Sequence, residues 1–259
     1  MKQKVSIVKI GGNLIENETI LDEFISNFAE LEGPKVLIHG GGKLATQLAG
    51  KLSIPTQMIE GRRITDAETL KVIIMAYGGL ASKTIVAKLQ GKNCNAIGLS
   101  GADLNLIRSV KRPVKEHDFG FVGDVEEVNT GALTLLLEND ITPVCCAITH
   151  NKNGQLFNTN ADTIASEIAR ALSNHYETHL YYCFEKRGVL RDLKDEDSVI
   201  EQINAASYKQ LLGEGIIADG MLPKLHNCFN ALKENVSYVY IGSIDMISNR
   251  QTKKTTITL

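Results

Sequence analysis

Val36-Leu37-Ile38-His39-Gly40-Gly41-Gly42-Lys43-Leu44 is a β-branched and aliphatic run cut off by three glycines, after which helical spacing begins at once. Glycine lets a backbone approach a ligand closely, and a following helix aims free N–H groups at any anion placed there. The start of the chain repeats the design in Val5-Ser6-Ile7-Val8-Lys9-Ile10-Gly11-Gly12-Asn13, with a lysine just ahead of its glycines. Two strand ends with glycine loops, one carrying a cation, suit a place where phosphate is held or moved. They equally suit a pair of tight strand-to-helix turns, because glycine fingerprints are weak outside their context.

Outward from these loops, strand-like and helix-like stretches alternate. Val5–Ile10 precedes a helical pattern from Glu18 to Leu31, and Lys35–His39 precedes a helix reaching Leu52. Gln57–Thr65 reads as a hairpin turning at Gly61, and Thr65 or Asp66 caps a long helix to Gln90 that holds Gly78-Gly79 mid-span. A close helix crossing or a plain kink would explain that glycine pair. Ala96–Gly101 is a strand ending in a glycine turn, Phe119–Val125 a second hairpin, and Ile141–Ile148 a strand followed by a turn at Asn153-Gly154. A helix with an Ile164, Ala165, Ile168, Ala169, Leu172 stripe follows, then strands at His179–Phe184 and Ser237–Ile241. Asp219-Gly220-Met221-Leu222-Pro223-Lys224 sits before another helix, Asn249–Lys254 is polar, and Thr255–Leu259 is a last strand. The alternation predicts an α/β fold, a three-layer αβα sandwich around a mainly parallel sheet.

The 259 residues suffice for one large domain or two lobes. The 28 Lys+Arg against 30 Asp+Glu give no basic excess for nucleic acid, so a small-molecule partner is expected. No apolar run reads as long enough for a bilayer, and the first strand starts without a signal-peptide pattern, which predicts a cytoplasmic protein. The five cysteines form no C-x-x-C and read as buried reduced thiols. The six histidines lack ligand spacing, so no protein-bound metal is expected. Ser82-Lys83-Thr84 imitates the end of a P-loop without its glycine, no G-x-G-x-x-G follows a strand, and no G-x-S-x-G occurs.

What remains is Lys9, the glycines at 40–42, the Asn158/Asn160/Asp162 cluster and Lys224. Two lysines and an aspartate suit phosphoryl transfer, which demands positioning and positive charge more than covalent chemistry. Solvated lysines and an aspartate N-cap are the plainer reading of the same residues.

Six stretches stand in the order found in acetylglutamate kinases of the amino acid kinase family. They are Lys9-Ile10-Gly11-Gly12, His39-Gly40-Gly41-Gly42, Gly61-Arg62-Arg63-Ile64-Thr65, Gly98-Leu99-Ser100-Gly101-Ala102-Asp103, Asn158-Thr159-Asn160-Ala161-Asp162 and Asp219-Gly220-Met221-Leu222-Pro223-Lys224. The resemblance covers nearly the whole chain. It implies one amino acid kinase domain, with residues 1–173 as the lobe for acyl-glutamate binding and dimerisation and 174–259 as the nucleotide lobe. It also implies ATP, with Mg2+ carried on the nucleotide, phosphorylating the side-chain carboxylate of N-acetyl-L-glutamate in arginine synthesis.

By position, Lys9 and Lys224 resemble the family's transition-state lysines and Asp162 the aspartate orienting them. Gly41, Gly42, Arg63, Asn158 and Asn160 resemble its substrate contacts; Gly11, Gly12, Glu185, Lys186 and Gly188 resemble its nucleotide contacts. A carboxylate nucleophile is ionised at neutral pH, so no general base is needed. Two departures touch the nucleotide lobe. Phe184-Glu185-Lys186-Arg187-Gly188-Val189 stands where Thr/Ser-Asp-Val-x-Gly-Val is usual, and Lys254-Thr255 where Gly-Thr is usual. A nucleotide-binding sensor without catalysis is the rival from another class. Arg62, in place of an apolar residue, raises N-succinyl-L-glutamate as an alternative substrate. A homodimer through residues 67–90 is expected. Lys9 lies too near the start for the extra helix of hexameric, arginine-inhibited members, so no arginine feedback is expected.

Overall fold

The computed structural model describes residues 2–217, 221–248 and 251–259. Among the described residues fourteen strands form in chain order: β1 Lys4–Ile10, β2 Lys35–His39, β3 Met58–Ile59, β4 Arg62–Arg63, β5 Ala96–Leu99, β6 Ile107–Lys111, β7 Gly123–Val128, β8 Thr142–Cys146, β9 Ile148–His150, β10 Leu156–Asn158, β11 Glu177–Cys183, β12 Gln202–Ile203, β13 Tyr238–Gly242 and β14 Thr255–Ile257. Eight of them build one sheet in the order β12-β14-β13-β11-β1-β2-β8-β5. Only the β13–β14 pairing is antiparallel, so the sheet is mainly parallel, as expected.

Buried parallel strands are near-continuous apolar runs, and period-2 geometry sends neighbours to opposite faces. In β1, Val5 and Ile7 enter one core with the helices at Gly42–Lys51, Ala161–Leu172 and Leu222–Lys233. Val8 and Ile10 enter the other with Glu18–Ala29 and the end of Ala67–Gln90. Each fully buried aliphatic side chain contributes about 1.5–3 kcal/mol. The same alternation turns Lys9 to the face of Val5 and Ile7, towards the Ala161–Leu172 helix. The five free cysteines are all buried, and burial pushes the Cys146 and Cys183 thiols up to about 12.

Several expectations need correction. The Phe119–Val125 stretch is not a hairpin by itself: β7 starts at Gly123 and pairs with β6, whose sequence gave no clear strand signal. Phe121 N–H instead donates to Thr65 O at 2.7 Å. The Ile141–Ile148 run breaks at Ala147, leaving β8 in the large sheet and sending β9 into a second sheet of order β10-β9-β6-β7. Ala67–Gln90 is a 24-residue helix long and apolar enough by length and composition to cross a membrane, contrary to the sequence expectation. Its Val72, Ile73, Ala76 and Tyr77 are buried in the core, which accounts for the apolar composition. Asp66 caps it by accepting from Thr69 N at 2.7 Å, an interaction of about 1 kcal/mol. The glycine pair lies in a π-helical stretch, Ile74–Ala81, where Gly78 faces Ile148 and, among the described residues, nothing beyond the helix itself lies within 4 Å of a Cβ built on Gly79. Residues Asp219 and Gly220 of the quoted motif, and Asn249 of the polar tail, lie outside the described residues.

Candidate active site

The C-terminal ends of β1 and β2 bring both glycine loops together. Gly12 opens a short helix, Gly12–Glu16, and Gly42 opens Gly42–Lys51. The two loops approach closely, a Cβ built on Gly12 lying 3.8 Å from Gly42 N. Gly41 has φ 154°, and a Cβ there would sit 2.9 Å from the Tyr77 ring. Glycine is thus required for both conformation and space. Behind the loop, buried His39 is paired through Nδ1 with Gly40 O at 2.8 Å, and burial holds its pKa down to about 4.

Lys9 and Asp162 meet between the loops. Their Nζ–Oδ1 separation is 2.7 Å, with the side chains only 10% and 12% exposed. Asp162 is not the N-cap of its helix. That position belongs to Asn160, whose Oδ1 accepts from Asp162 N at 2.7 Å and Thr163 N at 3.2 Å. The Asp162 carboxylate is therefore free to face the lysine, and Tyr182 Oη fixes the same turn by donating to Asp162 O at 3.0 Å. Lys224 stands in the first turn of Leu222–Lys233 rather than ahead of it. Its Nζ is 3.7 Å from the centre of the Phe184 ring, with Lys9 Nζ 5.3 Å from that centre. Desolvation lowers the Lys224 pKa, opposed by Asp162 and reinforced by Lys9.

Two cavities adjoin this centre. One, of about 410 Å³, is lined by Gly11, Gly12, Glu185, Lys186, Gly188 and Lys224, and also by apolar Leu14, Val189, Leu190, Ile216 and Met221. The other, of about 370 Å³, is lined by Gly41, Gly42, Arg63, Asn158, Asn160 and Asp162. Lys9 and Gly12 line both. Arg63 is held by Gly42 O at 2.9 Å and Thr46 Oγ1 at 2.8 Å, and Asn158 Nδ2 donates to Thr65 Oγ1 at 3.1 Å. Glu185 Oε1 accepts from Asn13 Nδ2, whereas Lys186 pairs outward with Glu196 at 2.7 Å. Thr255 Oγ1 accepts from Val189 N at 2.8 Å, so the altered Lys254-Thr255 turn still braces the first cavity.

All thirteen residues singled out from the sequence thus line one or both cavities. Sequence reasoning missed Tyr77, Arg112, Phe119 and Asn227 on the second. Tyr77 could have been found from its place on the apolar face of a glycine-interrupted helix, while the other three carry no local signal. Among the described residues no three His, Cys, Asp or Glu side chains converge as metal ligands.

The sequence pattern of the amino acid kinase family matches residues 4–243. The acetylglutamate kinase of Phocaeicola vulgatus is 55% identical over 93% of this chain and 94% of its own. That of Bacteroides thetaiotaomicron is 51% identical over 97% and 98%. Carbamate kinase from Giardia lamblia bound to AMP-PNP, only 14% identical, shares the fold with a TM-score of 0.69 over 98% of both chains. A parallel sheet bearing two glycine loops and a buried lysine–aspartate pair, with this family pattern along it, places the chain in the amino acid kinase family.

Proposed function

We propose that the chain is an acetylglutamate kinase, which transfers the γ-phosphoryl group of ATP to the side-chain carboxylate of N-acetyl-L-glutamate. The product is N-acetyl-L-glutamyl 5-phosphate, formed in the cytoplasm as a step of arginine biosynthesis. The observation that carries the reading is the meeting of two cavities at Lys9 and Gly12, with the Lys9–Asp162 ion pair at the junction.

In this reading the 410 Å³ cavity takes the nucleotide, with its apolar wall against the base and Gly11, Gly12 and Gly188 presenting backbone to phosphate. Glu185 orients Asn13 at that edge, and Lys186 lies on the rim with its ammonium paired to Glu196. The 370 Å³ cavity takes acyl-glutamate, its α-carboxylate end near Arg63 and Asn158, with Asn160, Gly41 and Gly42 around the acyl amide. The acceptor carboxylate is ionised already, so its attack on the γ-phosphorus needs no base. Lys9 and Lys224 neutralise charge developing on the phosphoryl oxygens, and Asp162 keeps Lys9 aimed. Mg2+ would be carried on the nucleotide phosphates, where it would neutralise charge on the transferring group.

Residues 1–173 and 174–259 act as acyl-glutamate and nucleotide lobes on one sheet. Exposed Met75 and Leu80 beside Gly79 suit a homodimer through Ala67–Gln90. Light scattering at the mass of two chains checks the dimer; a monomer or hexamer refutes it.

Trapping the acyl phosphate as a hydroxamate, with ATP and a panel of acyl amino acids, tests the activity. No hydroxamate with any acceptor would favour the non-catalytic sensor. One observation favours a second substrate. Arg62 and Arg112 line the acyl cavity and also an adjoining cavity of about 520 Å³, although Arg112 is tied to Asp124 at 2.6 Å. A guanidinium there suits the extra carboxylate of N-succinyl-L-glutamate. Specificity constants for the two substrates decide between them.

A further inference from the structure

Phe184 is the residue with which this site departs most from a purely polar phosphoryl-transfer centre. It follows β11 and is pinned by its N–H, which donates to Gly242 O at 2.8 Å. Its ring stacks on Tyr182 with centres 6.4 Å apart and planes 10° from parallel. Tyr182 is itself tied through Oη to Asp162 O, so the aromatic pair is fixed to the turn that carries the aspartate. Lys224 Nζ stands over the Phe184 ring at 3.7 Å.

The ring meets an ammonium group that shares its carboxylate with another. Among the described residues Lys9 and Lys224 both interact with the Asp162 carboxylate, and Lys9 takes it at 2.7 Å. Among the described residues Lys224 holds no carboxylate in an ion pair of its own; such a half-buried ammonium is costly, and the negative face of an aromatic ring offsets that cost while leaving the donors able to turn to a ligand. An aliphatic side chain of similar bulk would fill the space and supply no such face. Lys224 would then compete with Lys9 for Asp162, and both ammonium groups would leave the positions they hold at the cavity wall.

We propose that Phe184 is a positioning residue, its ring face holding the Lys224 ammonium at the nucleotide cavity so that Asp162 remains with Lys9. The proposal rests on the kinase reading for its kinetic consequence, though not for its structural one. Phe184→Leu keeps the apolar bulk and removes the ring; Phe184→Tyr restores it. We expect kcat to fall about 10-fold or more in the leucine variant, with KM for ATP changed less than about 3-fold, and the tyrosine variant to recover most of the loss. In a Lys224→Met background, Phe184→Leu should cost little further, because the group it positions is gone.

A structural readout needs no substrate. In protein labelled with 13C at lysine Cε, the Lys224 methylene signal, assigned by its loss in Lys224→Arg, should be shifted upfield by the ring current in wild type and not in Phe184→Leu. Rising KM with unchanged kcat in Phe184→Leu would make the ring a base-stacking platform and overturn the proposal. So would equal losses in the presence and absence of Lys224, or an unshifted Lys224 signal. If no acceptor yields acyl phosphate while the shift behaves as expected, the kinase reading fails and the contact stands.

Discussion

Asp162 Oδ1 lies 2.7 Å from Lys9 Nζ, yet the helix that Asp162 belongs to is capped by Asn160. Capping and charge are therefore separable by mutation. Asp162→Asn leaves the cap intact and removes the counter-ion of a lysine that is 10% exposed. Turnover should fall by a few orders of magnitude, about 3–4 kcal/mol if the effect matches loss of an oxyanion donor. Helix content by circular dichroism should not change. Asn160→Ala is the mirror test and should cost about 1 kcal/mol of stability in urea unfolding. A folded Asp162→Asn protein with normal kcat would refute the catalytic role.

Lys9→Ala and Lys224→Ala should each lower kcat by a similar few orders, with smaller changes in KM, since the charge they meet exists fully only during transfer. Their effects should part in stability. Removing Lys9 takes the ion-pair partner from a buried carboxylate and leaves it only the longer-range pull of Lys224, whereas removing Lys224 relieves a desolvated ammonium. Urea unfolding at neutral pH should therefore find Lys9→Ala the less stable of the two.

Arg63 spans Gly42 O, Thr46 Oγ1 and Thr56 Oγ1, which locks its planar guanidinium beside the acyl cavity. Lysine keeps the charge and loses the fork. Arg63→Lys should raise KM for acyl-glutamate about 10-fold or more, with KM for ATP nearly unchanged. Equal changes in both would show that Arg63 serves the fold of the loop rather than the substrate.

The site was legible where chemistry is local. Lys9 beside Gly11-Gly12 and the 40–42 glycines mark strand ends by residue type alone, and β1 and β2 fall where the apolar runs place them. Contacts set by tertiary register were not legible. Phe184 reads in sequence as an altered nucleotide loop, and only the approach of a helix 40 residues later puts Lys224 on its ring. Asn160 and Asp162 are both good caps, and a shift of two residues decides which of them is left for Lys9. Ala147 is where one apolar run passes from the large sheet to the small one, a break for which composition gives no sign. Tyr77 meets Gly41 from within the π-helical stretch of its helix, whose register a 3.6-residue period does not anticipate.

That last contact predicts a graded effect. Gly41→Ala places a methyl group 2.9 Å from the Tyr77 ring at a φ of 154°, so both a clash and backbone strain follow. A cost of about 1–3 kcal/mol is expected from the strain. Adding Tyr77→Ala should relieve the clash and not the strain. The double variant should recover acyl-glutamate binding less than fully in calorimetric titration, and complete recovery would show that the glycine is there for space alone.

His39 makes stability depend on pH in a defined window. Its ring is buried, paired through Nδ1 with Gly40 O, and neutral in the fold, with a pKa of about 4 against 6.5 for the free side chain. A group whose folded pKa is depressed leaves the unfolded chain binding more protons between the two values, so stability is full above 6.5 and falls as pH drops towards 4. The slope is about 1.4 kcal/mol per pH unit, giving a loss of about 2 kcal/mol at pH 5 and about 3 kcal/mol once both states are protonated. Carboxylates titrate in the lower part of the same range, so the comparison that isolates the imidazole is with His39→Gln. That variant is of similar bulk, gives up the Nδ1 bond at both pH values alike, and carries no titrating group. Urea unfolding at pH 7 and pH 5 should show wild type losing about 2 kcal/mol more than His39→Gln between the two conditions. Equal losses in the two proteins would mean that His39 takes up its proton inside the fold and that the glycine loop tolerates a charge behind it.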